Sequence, residues 1–86
     1  MMKIDFTKDF KKQFAKLSPK RSTKVKQSIA LFAENPNYPQ LRNHSLTGEW
    51  RNFRSIRAGG DLRLNFYIEG DTATFVAVGT HSQLYD

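Results

Sequence analysis

Apolar residues recur at helical spacing in the first third of the chain, in two successive stripes. The stripes consist of Phe10, Phe14 and Leu17, and then of Val25, Ile29 and Phe32. Spacings of three and four residues place each stripe on one face of a helix. Thr7 provides an N-cap for the first helix, and Ser18-Pro19 starts the second, which ends at Asn35-Pro36. Because the link between the two helices is so short, they are predicted to form a helical hairpin. A short strand is predicted before them, at residues 3–6.

Strict alternation replaces the helical spacing in the second half of the chain. Residues 35–49 form a predicted loop with proline and glycine breakers, and a period of two begins at Trp50. In the clearest strand the apolar residues are Leu62, Leu64, Phe66 and Ile68. Residues 73–78 are apolar on both faces, which indicates an interior strand after a turn at Gly70-Asp71. Only the apolar face of this meander can cover the helix stripes.

The predicted fold is therefore a two-layer α+β domain in which the helical hairpin packs on a small, mainly antiparallel sheet. Its elements follow the order βααβββ, and residues 1–86 suffice for one such domain. No apolar run is long enough for a membrane span or a secretory signal, and cysteine is absent. We expect a soluble, cytoplasmic protein without disulfides.

The turn between the first two strands of the meander decides which side chains meet across the sheet. A two-residue Gly-Gly turn would place Ile56 opposite Arg63, and so pair a core residue with a solvent-facing one. A three-residue turn at residues 59–61 instead pairs Ile56 with Leu64. The next pair is then Arg57 with Arg63, and each face stays chemically uniform, so we predict the longer turn.

This register predicts an anion-binding site. Arg57 and Arg63 lie across from each other on the exposed face, beside Ser55 and Asn65. Like charges placed directly opposite are destabilising unless an anion lies between them. We therefore expect a phosphate or carboxylate at this pair of guanidinium groups.

The overall charge also points to an anionic partner. The chain carries 14 Lys and Arg against 8 Asp and Glu, for a net charge of +6 and a pI near 9.9. Eight lysines and Arg21 fall in residues 1–26, and every later cation is an arginine. Lysines along helices are typical of a solvated face and of sequence-independent contact with RNA. Guanidinium groups on strands are typical of planar recognition of phosphate or base edges.

Two histidines and a terminal tyrosine are candidates for proton transfer. His81 follows the last predicted strand, and Tyr85 shares its face if residues 82–85 form a helical turn. An imidazole can give or take a proton near neutral pH, although a histidine on a frayed terminus often has no role. His44 lies in a loop, where most histidines have no function, and Asp61 has an equally good explanation as a turn residue.

The aromatic residues and the potential metal ligands give weaker indications of function. Trp50, Phe53 and Tyr67 fit either stacking on unpaired bases or packing against a small sheet. The two histidines and scattered acids lack the close spacing of zinc ligands. Walker, Rossmann and nucleophilic-serine motifs are absent. We predict neither a metal site nor a cofactor.

The chain resembles the RelE superfamily of bacterial type II toxins, and within it the YafQ-like branch. The resemblance covers nearly the whole chain and is carried by NHSLTGEWRNFRSIRAGGDLRLNFYI and VGTHSQLY. Its most specific positions are His44, Leu46, Gly48, Trp50, Asp61, Gly79, Thr80, His81, Leu84 and Tyr85. Members of this branch are ribosome-dependent mRNA interferases that cut the message in the A site, each held inactive by a cognate antitoxin. The resemblance implies a metal-independent endoribonuclease whose partners are an antitoxin, the ribosome and mRNA.

The resemblance also implies roles for single residues. His81 matches a histidine proposed as general acid, and His44 matches another active-site histidine. Asp61 matches an acidic residue proposed as base, so that Asp61 and His44 both remain candidates for that role. Tyr85 matches an aromatic residue near the end of these toxins, and Arg63 fits the phosphate-binding arginine of the RelE-like branch.

Phosphate contacts are expected from Arg54, Arg57 and Arg63, with Trp50 beside the RNA. Three positions depart from the family pattern. Arg57 stands where YafQ-like proteins have a further histidine, Leu62 where an aromatic residue is expected, and Ala77 where an arginine is expected. The site therefore combines features of both branches.

Two alternatives keep the fold and remove the catalysis. A ParE-like protein would poison DNA gyrase by binding, and a plain nucleic-acid-binding module would need only charge and exposed aromatic residues. His44, Asp61 and His81 favour the nuclease, because a gyrase inhibitor has no need of proton-transfer groups. A degenerate, inactive toxin is the remaining alternative.

Overall fold

The computed structural model describes residues 1–85. Its strands are β1 (Lys3–Phe6), β2 (His44–Ser45), β3 (Arg54–Arg57), β4 (Leu62–Glu69) and β5 (Thr72–Thr80). Its helices are α1 (Lys8–Ala15), α2 (Pro19–Glu34) and α3 (His81–Tyr85), with 3₁₀ turns at Pro39–Leu41 and Gly48–Trp50. None of the described helices is long and apolar enough to cross a membrane.

The strands form one five-stranded sheet in the order β1-β5-β4-β3-β2. The pairs β2–β3, β3–β4 and β4–β5 are antiparallel, whereas β1 runs parallel to β5. The prediction of a helical hairpin on a mainly antiparallel sheet is confirmed. The predicted loop at residues 35–49 also contains β2, a strand of two residues that lies at one edge of the sheet.

Helices α1 and α2 cover one face of the sheet, as their stripes predict. Val25 and Phe32 of α2 are fully buried, and the ring of Phe32 meets Phe66 of β4 and Phe75 of β5 edge-on, at centroid distances of 4.9 and 5.4 Å. Aromatic rings at this spacing add to the hydrophobic gain of burial. Phe10 of α1 completes this layer against Phe75. These core residues are ones that the two periodicities indicate, whereas Leu41, which is also buried, comes from the predicted loop.

The predicted strand register is also confirmed. Ile56 pairs with Leu64, and Arg57 pairs with Arg63. The turn spans residues 59–61, and the Ala58 amide donates to the Leu62 carbonyl at 2.9 Å just before it. Both glycines of the turn have positive φ, +85° and +52°, a region that L-residues rarely adopt.

The other face of the sheet differs from expectation. Ser55 and Asn65, predicted to lie exposed beside the arginines, are both 0% exposed. They are buried because residues of the segment 46–53 and of α3 fold over this face. The Tyr85 hydroxyl donates to Asn65 Oδ1 at 2.8 Å, and the ring of Phe53 lies 5.9 Å from that of Tyr67. Ile68 is expected on the apolar face of the strand, but it is 43% exposed at the end of β4.

Helix α2 depends on its N-cap, which gives a testable contribution to stability. The Ser18 hydroxyl accepts a hydrogen bond from the Arg21 amide at 3.2 Å. Ser18→Ala should lower the free energy of unfolding by about 1 kcal/mol, and the melting temperature by about 4–8 °C. Ser28→Ala, in the interior of the same helix, is the matched control and should not destabilise, because alanine is the better helix former there. Circular dichroism melts of both variants measure the difference, and equal shifts would contradict the capping role.

Candidate active site

A cavity of about 600 Å³ opens on the sheet face opposite to the one that α1 and α2 cover. Its lining residues are His44, Leu46, Thr47, Glu49, Trp50, Arg63, His81, Leu84 and Tyr85. The strand register explains the arrangement, because His44, Ser55, Asn65 and Ala77 form one row across β2, β3, β4 and β5. Residues in one such row project to the same side of the sheet. Arg63 lies on that side one row along, opposite Gly79.

Helix α3 places His81 at the cavity because the chain turns sharply after β5. The Thr80 amide donates to Gln83 Oε1 at 2.8 Å, and the Gln83 amide donates to the Thr80 hydroxyl at 3.3 Å. This is the reciprocal capping box of a T-x-x-Q sequence. A side chain at Gly79 would lie 3.0 Å from Gln83 Oε1, so glycine allows the helix to approach the strand. His81 and Tyr85 share a face as predicted, with ring centroids 5.0 Å apart.

His44 is held by the backbone on the opposite side of the cavity. Its Nδ1 lies 2.8 Å from the carbonyl oxygen of Arg42. Because a carbonyl can only accept, Nδ1 carries the proton in this contact, and the neutral ring keeps a lone pair on Nε2. Arg42 adopts the left-handed conformation, with φ +50°, at the end of the 3₁₀ turn, and this directs its carbonyl toward His44. His44 is thus prepared to accept a proton at Nε2.

Arg63 supplies positive charge to the cavity. Its side chain is 28% exposed, and its Nη2 lies 3.9 Å from Asp61 Oδ1. The Asp61 carboxylate is 59% exposed and is not among the lining residues. An exposed ion pair of this length stabilises little. The guanidinium therefore remains available to an anion in the cavity.

The structure places Arg57 and Arg54 away from this cavity. Arg57 lies opposite Arg63, but its Nε donates to the Gly60 carbonyl at 3.1 Å, and the residue lines a separate groove with Lys24 and Arg42. Arg54 pairs with Phe66 in the register and so lies on the other face. Its guanidinium donates to Asn43 Oδ1 at 2.8 Å and to the Ser45 hydroxyl at 3.3 Å. Of the three arginines expected to contact phosphate, Arg63 therefore lines the cavity together with His81, whereas Arg54 and Arg57 do not.

The aromatic residues of this face form a connected cluster. The ring of Trp50 lies 5.1 Å from Phe53 and 6.2 Å from Tyr85, and Phe53 contacts Tyr67. Trp50 and Tyr85 also line the cavity, so each packs against its neighbours in the cluster and borders the cavity as well. Trp50 therefore packs within the cluster and borders the cavity, and its stacking on RNA bases stays a prediction, whereas Phe53 and Tyr67 pack on the sheet face.

Sequence reasoning missed two polar residues of this region. Glu49 lines the cavity, and its place between His44 and Trp50 in the most specific segment was the available signal. Asn65 lies beneath Tyr85, and its position in an alternating strand indicated the solvent side instead. Among residues 1–85 no three His, Cys, Asp or Glu side chains gather in a way that could hold a metal ion. That the site works without metal stays a prediction.

Comparisons with known proteins identify relatives across the whole chain. The sequence profile described as "Bacterial toxin of type II toxin-antitoxin system, YafQ" matches residues 2–86. YafQ from E. coli strain BL21(DE3) is 24% identical, with a TM-score of 0.81 over 100% of both chains. The E. coli DinJ-YafQ complex contains a chain 24% identical, with a TM-score of 0.78 over 100% of both chains. A metal-bound toxin from Helicobacter pylori is 29% identical, with a TM-score of 0.70 over 99% of this chain and 100% of that chain.

No curated protein sequence is significantly similar to the chain. The two YafQ structures support the fold, and the profile supports the family across the segments that carry the resemblance, from His44 to Tyr85. The match of the profile extends over nearly every residue, including the helical hairpin. The chain therefore belongs to the YafQ family of bacterial toxins of type II toxin–antitoxin systems.

Proposed function

We propose that this protein is a ribosome-dependent endoribonuclease that cuts mRNA in the ribosomal A site. The observation that carries the proposal is the cavity itself, in which one guanidinium, two imidazoles and two aromatic rings line the same space. These groups match the needs of phosphodiester cleavage, namely charge stabilisation, proton transfer and positioning. A gyrase inhibitor would need none of the proton-transfer groups.

RNA carries the nucleophile for this reaction. The 2′-hydroxyl attacks the adjacent phosphorus, the bond from phosphorus to the 5′-oxygen breaks, and a 2′,3′-cyclic phosphate forms. One proton leaves the 2′-hydroxyl and another reaches the departing 5′-oxygen. The enzyme therefore needs a base, an acid and a cation for the extra negative charge.

The geometry supports one assignment of these roles. His44 takes the proton from the 2′-hydroxyl through Nε2, since its Nδ1 donates to the Arg42 carbonyl. His81, in its protonated form, gives a proton to the 5′-oxygen. Arg63 binds the phosphate, and the rings of Trp50 and Tyr85 position the neighbouring bases. Asp61, the other candidate base, takes no proton in this assignment. Its carboxylate forms the ion pair with Arg63 instead, 3.9 Å from Nη2.

Cations outside the cavity extend the contact with RNA. Arg57, Arg42 and Lys24 line one groove of about 630 Å³, and the lysines of α1 and α2 add charge on the helical layer. Exposed cations bind phosphates without regard to sequence. These residues are proposed to bind the ribosomal RNA. Arg54 is proposed to stabilise the pairing of β2 with β3 through its hydrogen bonds to Asn43 and Ser45.

The proposed regulator is a cognate antitoxin encoded with the toxin. E. coli YafQ forms a complex with DinJ, and the same arrangement here would keep the toxin inactive in the cytoplasm. The net charge of +6 favours an acidic antitoxin segment that covers the Arg63 face or wraps the helices and folds as it binds.

The decisive experiment adds the purified protein to a reconstituted translation reaction and maps the message by primer extension. Cuts within the A-site codon that require ribosomes, and that leave a cyclic phosphate, are the expected result. The same protein is incubated with gyrase and supercoiled DNA as the test of the ParE-like alternative. Gyrase-dependent DNA breaks without RNA cleavage, or binding of RNA without any cut, would contradict the proposal.

A further inference from the structure

We propose that Asn65 is a positioning residue of the active site, because it fixes Tyr85 and, through Tyr85, the ring of His81. The catalytic consequence of this inference rests on the function proposed above. Asn65 lies within a segment that carries the resemblance, but the resemblance implies no role for it. It is an amide in the centre of β4, on the face that carries the cavity.

The contact between Asn65 and Tyr85 ties α3 to the sheet. Asn65 is 0% exposed, and its Oδ1 accepts the hydroxyl of Tyr85 at 2.8 Å, from a residue 20 positions along the chain. The other side-chain hydrogen bonds of this helix, between Thr80 and Gln83, are local. They shape the turn, but they do not determine where the end of the helix lies on the sheet.

Helix α3 needs such a long-range contact. It has five residues, and helices of this length are not stable on their own in water. The ring of Tyr85 lies 5.0 Å from that of His81 and 6.2 Å from that of Trp50. A hydrogen bond that holds Tyr85 therefore also holds the imidazole at one wall of the cavity.

The remaining polar atoms of this site show that an amide is an unfavourable residue for this buried position apart from its bond to Tyr85. Its Nδ2 and the neighbouring Ser55 hydroxyl are buried without a hydrogen-bond partner among the described residues. A buried, unpaired polar group lowers stability, and apolar residues in place of both partners of a buried hydrogen bond are often as good or better. An apolar side chain would suit the burial of this site, yet the chain has an amide whose oxygen holds Tyr85.

The test compares Asn65→Leu, Tyr85→Phe and the double variant in ribosome-dependent cleavage. Leucine keeps the number and branching of the heavy atoms and removes the acceptor, whereas phenylalanine keeps the ring and removes the donor. Tyr67→Phe is the matched control, because it removes a hydroxyl from the same strand and face as Asn65. For each protein the experiment measures kcat and KM, the ring proton signals of His81 by NMR, and the thermal melt.

Each single variant should lower kcat about tenfold, the effect of losing one ordinary hydrogen bond, with KM nearly unchanged. The double variant should be no slower than the singles, since both remove the same contact. The His81 signals should move in all three variants, because the ring leaves its place over Tyr85. Tyr67→Phe should behave as wild type, and Asn65→Leu should remain folded at the assay temperature, so that a lower melting temperature does not account for its lower kcat.

Three results would overturn the positioning role: unchanged His81 signals in Asn65→Leu, additive losses in the double variant, or a loss of activity that only follows a lower melting temperature. Wild-type protein that cuts no RNA would overturn the proposed function instead. The His81 signals report on the contact without any substrate, so the two failures are distinguishable.

Discussion

Replacing His81 with alanine should lower ribosome-dependent cleavage by about 10²–10⁴-fold, the usual contribution of a general acid. The imidazole lies at the start of α3 and lines the cavity with Arg63. Without it the 5′-oxygen must leave as an alkoxide or take its proton from water. Single-turnover cleavage of a programmed ribosome measures the loss directly. Because the side chain is exposed, the melting temperature and the binding of the antitoxin should not change.

Ser82→Ala is the matched control for His81→Ala. Ser82 is the next residue of the same short helix and is also exposed, but it does not line the cavity. Its replacement should leave cleavage near the wild-type rate. Full activity of His81→Ala would remove this residue from the mechanism, and equal losses in both variants would point to damage to α3 rather than to lost proton transfer.

Replacing Arg63 with alanine should lower cleavage by about 10²–10³-fold, the cost of removing one preorganised group that stabilises developing charge. Arg63 is the arginine among the lining residues of the cavity, and its partly buried guanidinium can place two N–H groups on one phosphate. Arg63→Lys should recover only part of the rate, because an ammonium is a point charge without the planar fork. Loss of the exposed ion pair with Asp61 should cost little stability.

Arg51→Ala is the control for a general loss of positive charge. Arg51 is exposed and does not line the cavity, and its only described side-chain contact is a 3.5 Å hydrogen bond to the Gly48 carbonyl. Its removal changes the net charge by the same amount as Arg63→Ala. If both variants lose activity equally, Arg63 contributes only to overall electrostatic attraction and not to the chemical step. Full rescue by Arg63→Lys would exclude bidentate binding.

Local patterns determined most of the architecture. The stripes through Val25 and Phe32 predict the helical layer, and both residues are fully buried. The Ser18-Pro19 start of α2 is observed, with the Ser18 cap in place. The pairing of Ile56 with Leu64 also follows from local reasoning, because a shift by one residue would have moved every side chain to the wrong face. These features depend on neighbours in the chain or on one turn.

Only the tertiary structure decided the composition of the cavity. Asn65 is buried because α3 lies over it, and the contact joins residues 20 positions apart. Arg57 faces Arg63 in the register, yet its guanidinium bonds to Gly60 and lines another groove. Side-chain direction at the sheet edge follows from which groups lie within reach, and periodicity contains no such information.

Sequence by itself thus determined the helical hairpin, the strands other than β2, the register of β3 with β4, and the family resemblance of this protein. The tertiary structure decided that β1 joins β5 in parallel, that His44 is oriented by the Arg42 carbonyl, and which cations face the cavity. The physical reason is the range of the interactions. Helix periodicity, caps and tight turns act over a few residues, whereas a cavity wall forms where segments distant in the chain meet, and its contacts are specified by no single segment.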